Sequence, residues 1–181
     1  MRRVVLALAL ALVACDGARR VSTPPHEQPA ASSSDALLLA LSEARSHHAQ
    51  ADLYLADGDV DAATRSLARV LDVRFPAGAT EAEDTRLDAR ARLARLLLRA
   101  GRLDEADRII DGGLAGGARR SFFLANLYAV SGERWEARAR ALAGDADGAR
   151  RARRAALAAY DQSLSINAEL QARLHGTKES P

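Results

Sequence analysis

The sequence predicts an all-α protein, a short right-handed solenoid of about three helical hairpins, and two observations support this. The 181-residue chain contains 41 Ala and 26 Leu but only three Phe, three Tyr and one Trp, so helix-favouring residues dominate and strand-favouring residues are scarce. A Gly and an Asp three residues apart also recur three times with a 43-residue period, which is typical of helical repeats. We therefore expect one small helical domain with appendages.

The first 15 residues have the features of an export leader. They read MRRVVLALALALVAC, in which two arginines precede an apolar stretch that ends in small residues and a cysteine. The stretch of about 11 residues is too short for a helix that spans a bilayer, which needs about 20. The end of the stretch, Leu12 to Cys15, resembles the lipobox of bacterial lipoproteins. The resemblance implies a signal peptide at residues 1–14 and a lipid on Cys15, which would anchor the chain to a bacterial membrane, inner or outer.

The segment after the cysteine has the composition of a disordered linker. Residues 16–34 are rich in proline and serine and contain almost no large apolar side chains. We therefore expect a lipidated cysteine and linker at residues 15–34, a repeat domain at 35–174 and a disordered tail at 175–181. The folded domain would lie in the periplasm or at the cell surface.

The repeated signature predicts a tight turn between two helices. It begins at Gly58, Gly101 and Gly144. The glycine supplies the left-handed conformation that ends a helix, and the aspartate three residues later lies in the first turn of the next helix, where a carboxylate is favourable. The predicted helices span residues 35–57 and 60–74, 81–100 and 103–115, and 120–143 and 147–166, with a short tail helix to about 174.

Capping residues and a helix-breaking proline support the predicted helix ends. Ser34 is placed to cap the first helix, and the sequence Thr80-Glu-Ala-Glu83 has the form of a capping box for the third. Pro76 breaks the chain just before that third helix. The apolar residues Leu93 and Leu97 recur at helical spacing on one face.

The hairpins resemble the tetratricopeptide repeat (TPR), a helix-turn-helix unit of 34 residues. The matching positions of the first hairpin are Ala51, Tyr54, Gly58, Val60, Ala63, Leu67 and Val70, and those of the second are Leu93, Ala94, Leu97, Gly101, Leu103, Ala106, Ile110 and Gly113. The third hairpin departs from the pattern because Arg140 and Arg153 occupy apolar sites. Two registers stay open for it, one with its turn at Gly144 and one that uses Leu124, Ala125, Tyr128, Gly132 and Ala137.

The resemblance implies that the first helix of each hairpin lines a concave groove. The side chains expected to face the groove are Arg45, His48, Asp52, Arg95, Arg99, Arg134 and Arg138. Four of these are arginines of the second and third hairpins, so we expect the groove to suit an acidic peptide or a C-terminal carboxylate. A basic patch on the last helix is formed by Arg150, Arg151, Arg153 and Arg154.

The function predicted from these features is a membrane-anchored, non-catalytic adaptor that binds one or more envelope proteins. No phosphate-binding loop, zinc-protease motif or nucleophile elbow occurs, and His47 and His48 point in different directions on a helix, so neither a cofactor nor a metal is expected. Without Arg2 and Arg3 of the leader, basic and acidic residues balance, which argues against nucleic acid as a partner. Two alternatives stay open: an envelope enzyme that uses His48, Asp52 and Glu43, or a module whose basic end binds anionic lipid or wall polymer.

Overall fold

The structure is a computed structural model that describes residues 32–176 of the chain. These residues form six α-helices and no β-strand, which confirms the all-α prediction. The helices are α1 (Ser33–Ala56), α2 (Val60–Asp72), α3 (Thr80–Arg99), α4 (Leu103–Leu114), α5 (Phe122–Ala141) and α6 (Ala146–Gly176). The predictions for the leader, Cys15, most of the linker and the last five residues lie outside the described residues.

Successive helices pair into three hairpins, as predicted. Helix α1 packs against α2, α3 against α4, and α5 against α6, and each hairpin contacts the next through α2 with α3, α3 with α5, and α4 with α5. The central helix α3 therefore touches both neighbouring hairpins. This pattern of contacts between neighbours is that of a solenoid.

Glycines end the first helix of two of the three hairpins. Gly58 and Gly101 have φ angles of +78° and +73°, the left-handed conformation expected from the sequence. The third turn differs, because Gly144 lies within the turn but does not adopt a left-handed conformation. The carboxylate of Asp145 instead accepts a hydrogen bond of 2.9 Å from the backbone N–H of Gly148 at the start of α6.

Three predicted helix ends are wrong. Ser32, not Ser34, caps α1, and its hydroxyl accepts from the backbone N–H of Asp35, which completes a capping box. Thr80 is the first residue of α3 rather than its cap, and its hydroxyl donates to the carboxylate of Glu81, so the predicted capping box is not formed. The last two predicted elements are one helix, because α6 continues without a break to Gly176 and includes the start of the predicted tail.

The core continues through all three hairpins and ends on α6. The most deeply buried large side chains include Leu67 of α2, Ile110 of α4, Leu127 of α5 and Ile166 of α6. The last three belong to one apolar cluster. From Ala149 onward the buried residues of α6 alternate in steps of three and four, as helices packed in a coiled-coil manner do: Ala149, Ala152, Ala156, Ala159, Ser163 and Ile166. Because most of them are alanines, α5 and α6 can approach closely.

The third hairpin combines the two registers that the sequence left open. Its turn lies at Gly144, but Leu124 and Ala125 of α5 are buried 31 residues after Leu93 and Ala94 of α3, as the second register requires. Gly132 does not end a helix. A Cβ atom at this glycine would lie 2.5 Å from ring atoms of Tyr160, so the glycine permits close packing of α5 on α6.

Within residues 32–176, every helix is too short or too polar to cross a membrane.

Candidate interaction site

The first helices α1, α3 and α5 form one face of the domain, which we call the first-helix face. Helix α3 lies between α1 and α5 and carries charges at successive steps of three or four residues: Glu81, Asp84, Asp88, Arg92, Arg95 and Arg99. Such spacing places side chains along one side of a helix. The stripe therefore changes from acidic to basic along α3.

A depression of about 490 Å³ lies at the acidic end of this stripe, and we call it the first depression. Its apolar lining consists of Leu41, Ala44 and Phe123, which come from α1 and α5. Polar side chains of α1 and α3 complete the lining: Arg45, His48, Glu81, Asp84, Thr85, Asp88 and Arg92. The floor is apolar and the rim is charged, which is the general character of a binding pocket.

His48 lies between Arg92 and Asp88 at the rim of the first depression. The Nη1 atom of Arg92 is 2.8 Å from the Nδ1 atom of His48, and the Nε2 atom of His48 is 3.8 Å from the carboxylate of Asp88. Because a guanidinium can only donate, Nδ1 must be unprotonated to accept this bond. Burial and the charge of Arg92 together lower the pKa of His48, although Asp88 and Asp52 act in the opposite direction.

We expect acid to destabilise this end of the domain through His48. The folded-state pKa of His48 is lower than the value of about 6.5 in an unfolded chain, so its stabilising contribution is present above that pH and is lost as the pH falls below it. The free energy of unfolding of a His48→Gln variant should therefore decrease less between pH 7 and pH 5 than that of the wild type. Urea unfolding followed by circular dichroism measures both; equal decreases would contradict the prediction.

A second depression, of about 220 Å³, lies at the basic end of the stripe, between α3 and α5. It is lined by Arg95, Leu98, Arg99, Glu133, Glu136 and Arg140. The Nε atom of Arg95 donates to the carboxylate of Glu133 at 2.9 Å, whereas Arg99 is exposed and makes no ion pair within residues 32–176. Three arginines against two glutamates leave an excess of positive charge.

The second depression continues onto α6. A groove of about 590 Å³ between α5 and α6 shares Glu136 and Arg140 with it and adds Arg153. The hydroxyl of Tyr160 donates to Glu136 at 2.8 Å, and burial together with this hydrogen bond raises the pKa of Tyr160 to about 12. The phenol therefore stays protonated at neutral pH, and the carboxylate of Glu136 is held in place.

Five of the seven residues predicted to line the groove lie on or beside the two depressions. Arg45 and His48 line the first depression, while Asp52 binds Arg92 at its edge. Arg95 and Arg99 line the second depression. The structure also places the acidic side chains Glu81, Asp84 and Asp88 of α3 at one end of the face, which the prediction of a groove that is basic in the second and third hairpins did not include.

The other two predicted residues, Arg134 and Arg138, face α4 instead of the groove. Arg134 is only 8% exposed, binds Asp111 at 2.5 Å and stacks on the ring of Trp135. Arg138 binds Asp104 and Asp107, both at 2.5 Å. The prediction for these two residues is wrong because their charges are satisfied inside the domain, between the second and third hairpins.

Residues 54–121 match the sequence profile of the tetratricopeptide repeat family. The protein is a TPR-like helical repeat protein. The matched segment runs from the last turn of α1 to Ser121, the residue that caps α5, and so contains α2, α3 and α4. Neither a curated protein nor a solved structure matches the chain.

The match indicates which type of domain carries the two depressions. Repeats of this family are interaction modules, typically without catalytic activity, and stacked repeats present an extended surface to other proteins. The TPR-like protein is therefore a protein–protein interaction module. Its third hairpin lies outside the match, in agreement with the departures at Arg140 and Arg153.

The predicted basic patch on α6 is divided by the structure. Arg153 lines the groove between α5 and α6. Arg150 binds Asp147 on the same helix, and Arg151 lies 3.8 Å from Asp145. Arg154 is exposed and has no ion pair within the described part of the chain. The four arginines thus do not form a single cluster of unpaired charge.

No set of three His, Cys, Asp or Glu side chains within residues 32–176 is placed to hold a metal ion. The residues of the enzyme alternative are also separated, because Glu43 lies near His47 at 3.9 Å whereas His48 and Asp52 both contact Arg92.

Sequence reasoning missed Asp88, Arg92 and Arg140, which line the two depressions. The first two were detectable, because the charges of α3 recur at steps of three and four residues and so had to share one side of the helix. Arg140 was assigned to an apolar repeat position, and only the register of α5 shows that it lies on the rim.

Proposed function

We propose that this protein is a membrane-anchored, non-catalytic adaptor of a bacterial cell envelope that holds another envelope protein on its first-helix face. The single observation that carries the proposal is the order of segments: residues 1–14 with the pattern of a leader, then Cys15, a segment rich in proline and serine, and a TPR-like domain. In this proposal residues 1–14 are removed, and the lipid on Cys15 keeps the interaction module near the membrane surface.

The second depression supports an acidic partner segment, either an acidic peptide or a C-terminal carboxylate. Its arginines outnumber its glutamates, and Arg99 is free to bind a carboxylate because it is not engaged inside the described domain. Arginine binds carboxylates through two parallel hydrogen bonds, which gives such a site geometric selectivity. Arg95 lies beside Glu133 in the same depression and is part of the proposed site. Arg134 and Arg138 are paired with carboxylates of α4 and are therefore not part of it.

The proposal is tested by cross-linking in cells, followed by affinity recovery from membranes and identification of the recovered proteins. We expect a small set of envelope proteins with the wild type and a large loss with Cys15→Ala, which removes the anchor. The double variant Arg99→Glu with Arg140→Glu should recover at least tenfold less partner than the wild type. The matched control is Arg69→Glu with Arg108→Glu, which reverses two exposed arginines of α2 and α4.

Two results would overturn the proposal. Recovery of lipid or wall fragments alone would favour a surface-binding module, and unchanged recovery with the Arg99 and Arg140 variant would remove the acidic-segment argument. Reversal of Arg95 or Arg138 is a poor substitute for this test, because they bind carboxylates of the domain at 2.9 Å and 2.5 Å, respectively, and their reversal would disturb the fold. Arg140 is exposed and lies 3.8 Å from Glu136, so its reversal removes only a weak surface pair.

A further inference from the structure

We propose that the first depression binds a long basic side chain of the partner, a lysine or an arginine. Its aliphatic stem would lie on Leu41 and Phe123, and its charged head would meet the carboxylates of Glu81 and Asp88 on α3. The inference rests on the proposed function, because it concerns the same first-helix face. It adds a second requirement, so that the partner presents a basic residue at one end of the face and an acidic group at the other.

The floor of the depression suits an aliphatic stem. Ala44 is buried, and Leu41 and Phe123 are half-buried around it, so α1 and α5 together form one apolar surface. Lysine and arginine bury their methylene groups on such surfaces while the charged end stays at the rim. The volume of about 490 Å³ is ample for one side chain of this length.

The carboxylates of α3 leave negative charge uncompensated at the rim. Asp84 binds Arg119 at 2.7 Å through one oxygen, but its other oxygen is inaccessible to solvent and has no hydrogen-bond partner in the described structure. Asp88 is 3.8 Å from His48, whose geometry requires the neutral form. Glu81 accepts a hydrogen bond from Thr80 and has no ion pair within residues 32–176. A cation placed at the rim gains the carboxylates of Glu81 and Asp88 as acceptors, which the domain does not neutralise.

The opposite wall does not favour an acidic ligand. Arg92 is already bound to Asp52, so its charge is compensated. Arg45 is exposed and is the one arginine of this lining without an ion pair inside the described domain. An acidic group would gain this single arginine but would face three carboxylates. Charge complementarity therefore selects a basic head group.

Selection from a phage library of random 12-residue peptides tests the inference on the full-length protein in detergent. The variant is Glu81→Gln with Asp88→Asn, which keeps side-chain shape and removes two charges. The matched control is Asp72→Asn with Asp161→Asn, two exposed residues away from the depression. We expect peptides selected on the wild type and the control to be enriched in Lys or Arg beside an apolar residue, and this enrichment to disappear on the variant.

Affinity measurements on one selected peptide complete the test. Replacing its basic residue by norleucine, which keeps the stem and removes the charge, should weaken binding to the wild type about tenfold and binding to the variant less than twofold. If the double variant fails to fold, Asp88→Asn alone takes its place.

Each remaining outcome has a definite meaning. Selected peptides without basic enrichment, or a norleucine effect of equal size on wild type and variant, would overturn this inference and leave the proposed function standing. Failure of the wild-type protein to select any peptide would overturn both.

Discussion

Replacing Ile166 with alanine is expected to lower the free energy of unfolding by about 2–4 kcal/mol. Ile166 lies on α6, yet its side chain is only 1% exposed and packs in the same cluster as Ile110 of α4 and Leu127 of α5. The substitution removes methyl groups from a core that α3, α4, α5 and α6 share, and the surrounding helices can close the cavity only in part. Urea unfolding followed by far-ultraviolet circular dichroism measures the loss.

The matched control for Ile166 is Leu164→Ala on the same helix. Leu164 is 65% exposed, so its replacement should change the free energy of unfolding by no more than about 0.5 kcal/mol. Comparable losses for the two variants would mean that this part of α6 is not packed against the repeats, and would contradict the description of α6 as the closing helix of the core.

Replacing Arg134 with alanine is expected to cost about 2–3 kcal/mol of stability, because it removes a buried, packed side chain and leaves the carboxylate of Asp111 without its cation. Arg134 is almost fully buried and binds Asp111, while its Nε atom lies 3.7 Å from Asp107. Its guanidinium also stacks on Trp135 at 4.8 Å. The same unfolding measurement checks this value.

Arg154→Ala is the control for Arg134, since it removes an exposed arginine that has no ion pair within residues 32–176. The comparison also separates two roles for Arg134. A structural residue lowers stability when removed, whereas a partner-binding residue lowers recovery of the partner at unchanged stability. A stable Arg134→Ala protein that no longer recovered its partner would restore the assignment of Arg134 to the partner-binding residues of the first-helix face.

The sequence predicts the hairpins well because their signals are local. A left-handed glycine followed by an aspartate in the next helix requires only the residues of the turn, and the turns at Gly58 and Gly101 form as expected. Helix starts are less certain, because several residues can serve as a cap. Ser32, Ser33 and Ser34 are adjacent, and of the three Ser32 alone has an acidic residue three positions later, Asp35, which completes the capping box.

The side chains that line the first-helix face are less predictable where they depend on how one helix is rotated against the next. The 43-residue period places Arg138 of α5 where Arg95 lies on α3, but the burial of α5 follows an offset of 31 residues. The difference of twelve residues rotates a helix by about 120° at 100° per residue, which turns Arg134 and Arg138 toward α4. In this rotation Tyr160 of α6 packs directly on Gly132 of α5, and no local pattern in the sequence indicates this contact.

The arrangement of neighbours around α1 has a consequence for local unfolding. Helix α1 packs mainly on α2, whereas α5 contacts α3, α4 and α6. In a linear array a terminal unit with few neighbours opens at a lower free energy than the rest, and such opening does not require the whole domain to unfold. Because α1 supplies Arg45 and His48, its fraying would abolish the first depression while the second stayed intact. The two ends of the first-helix face thus differ in local stability, and under the proposed function a partner that contacts both ends would dissociate from the α1 end first.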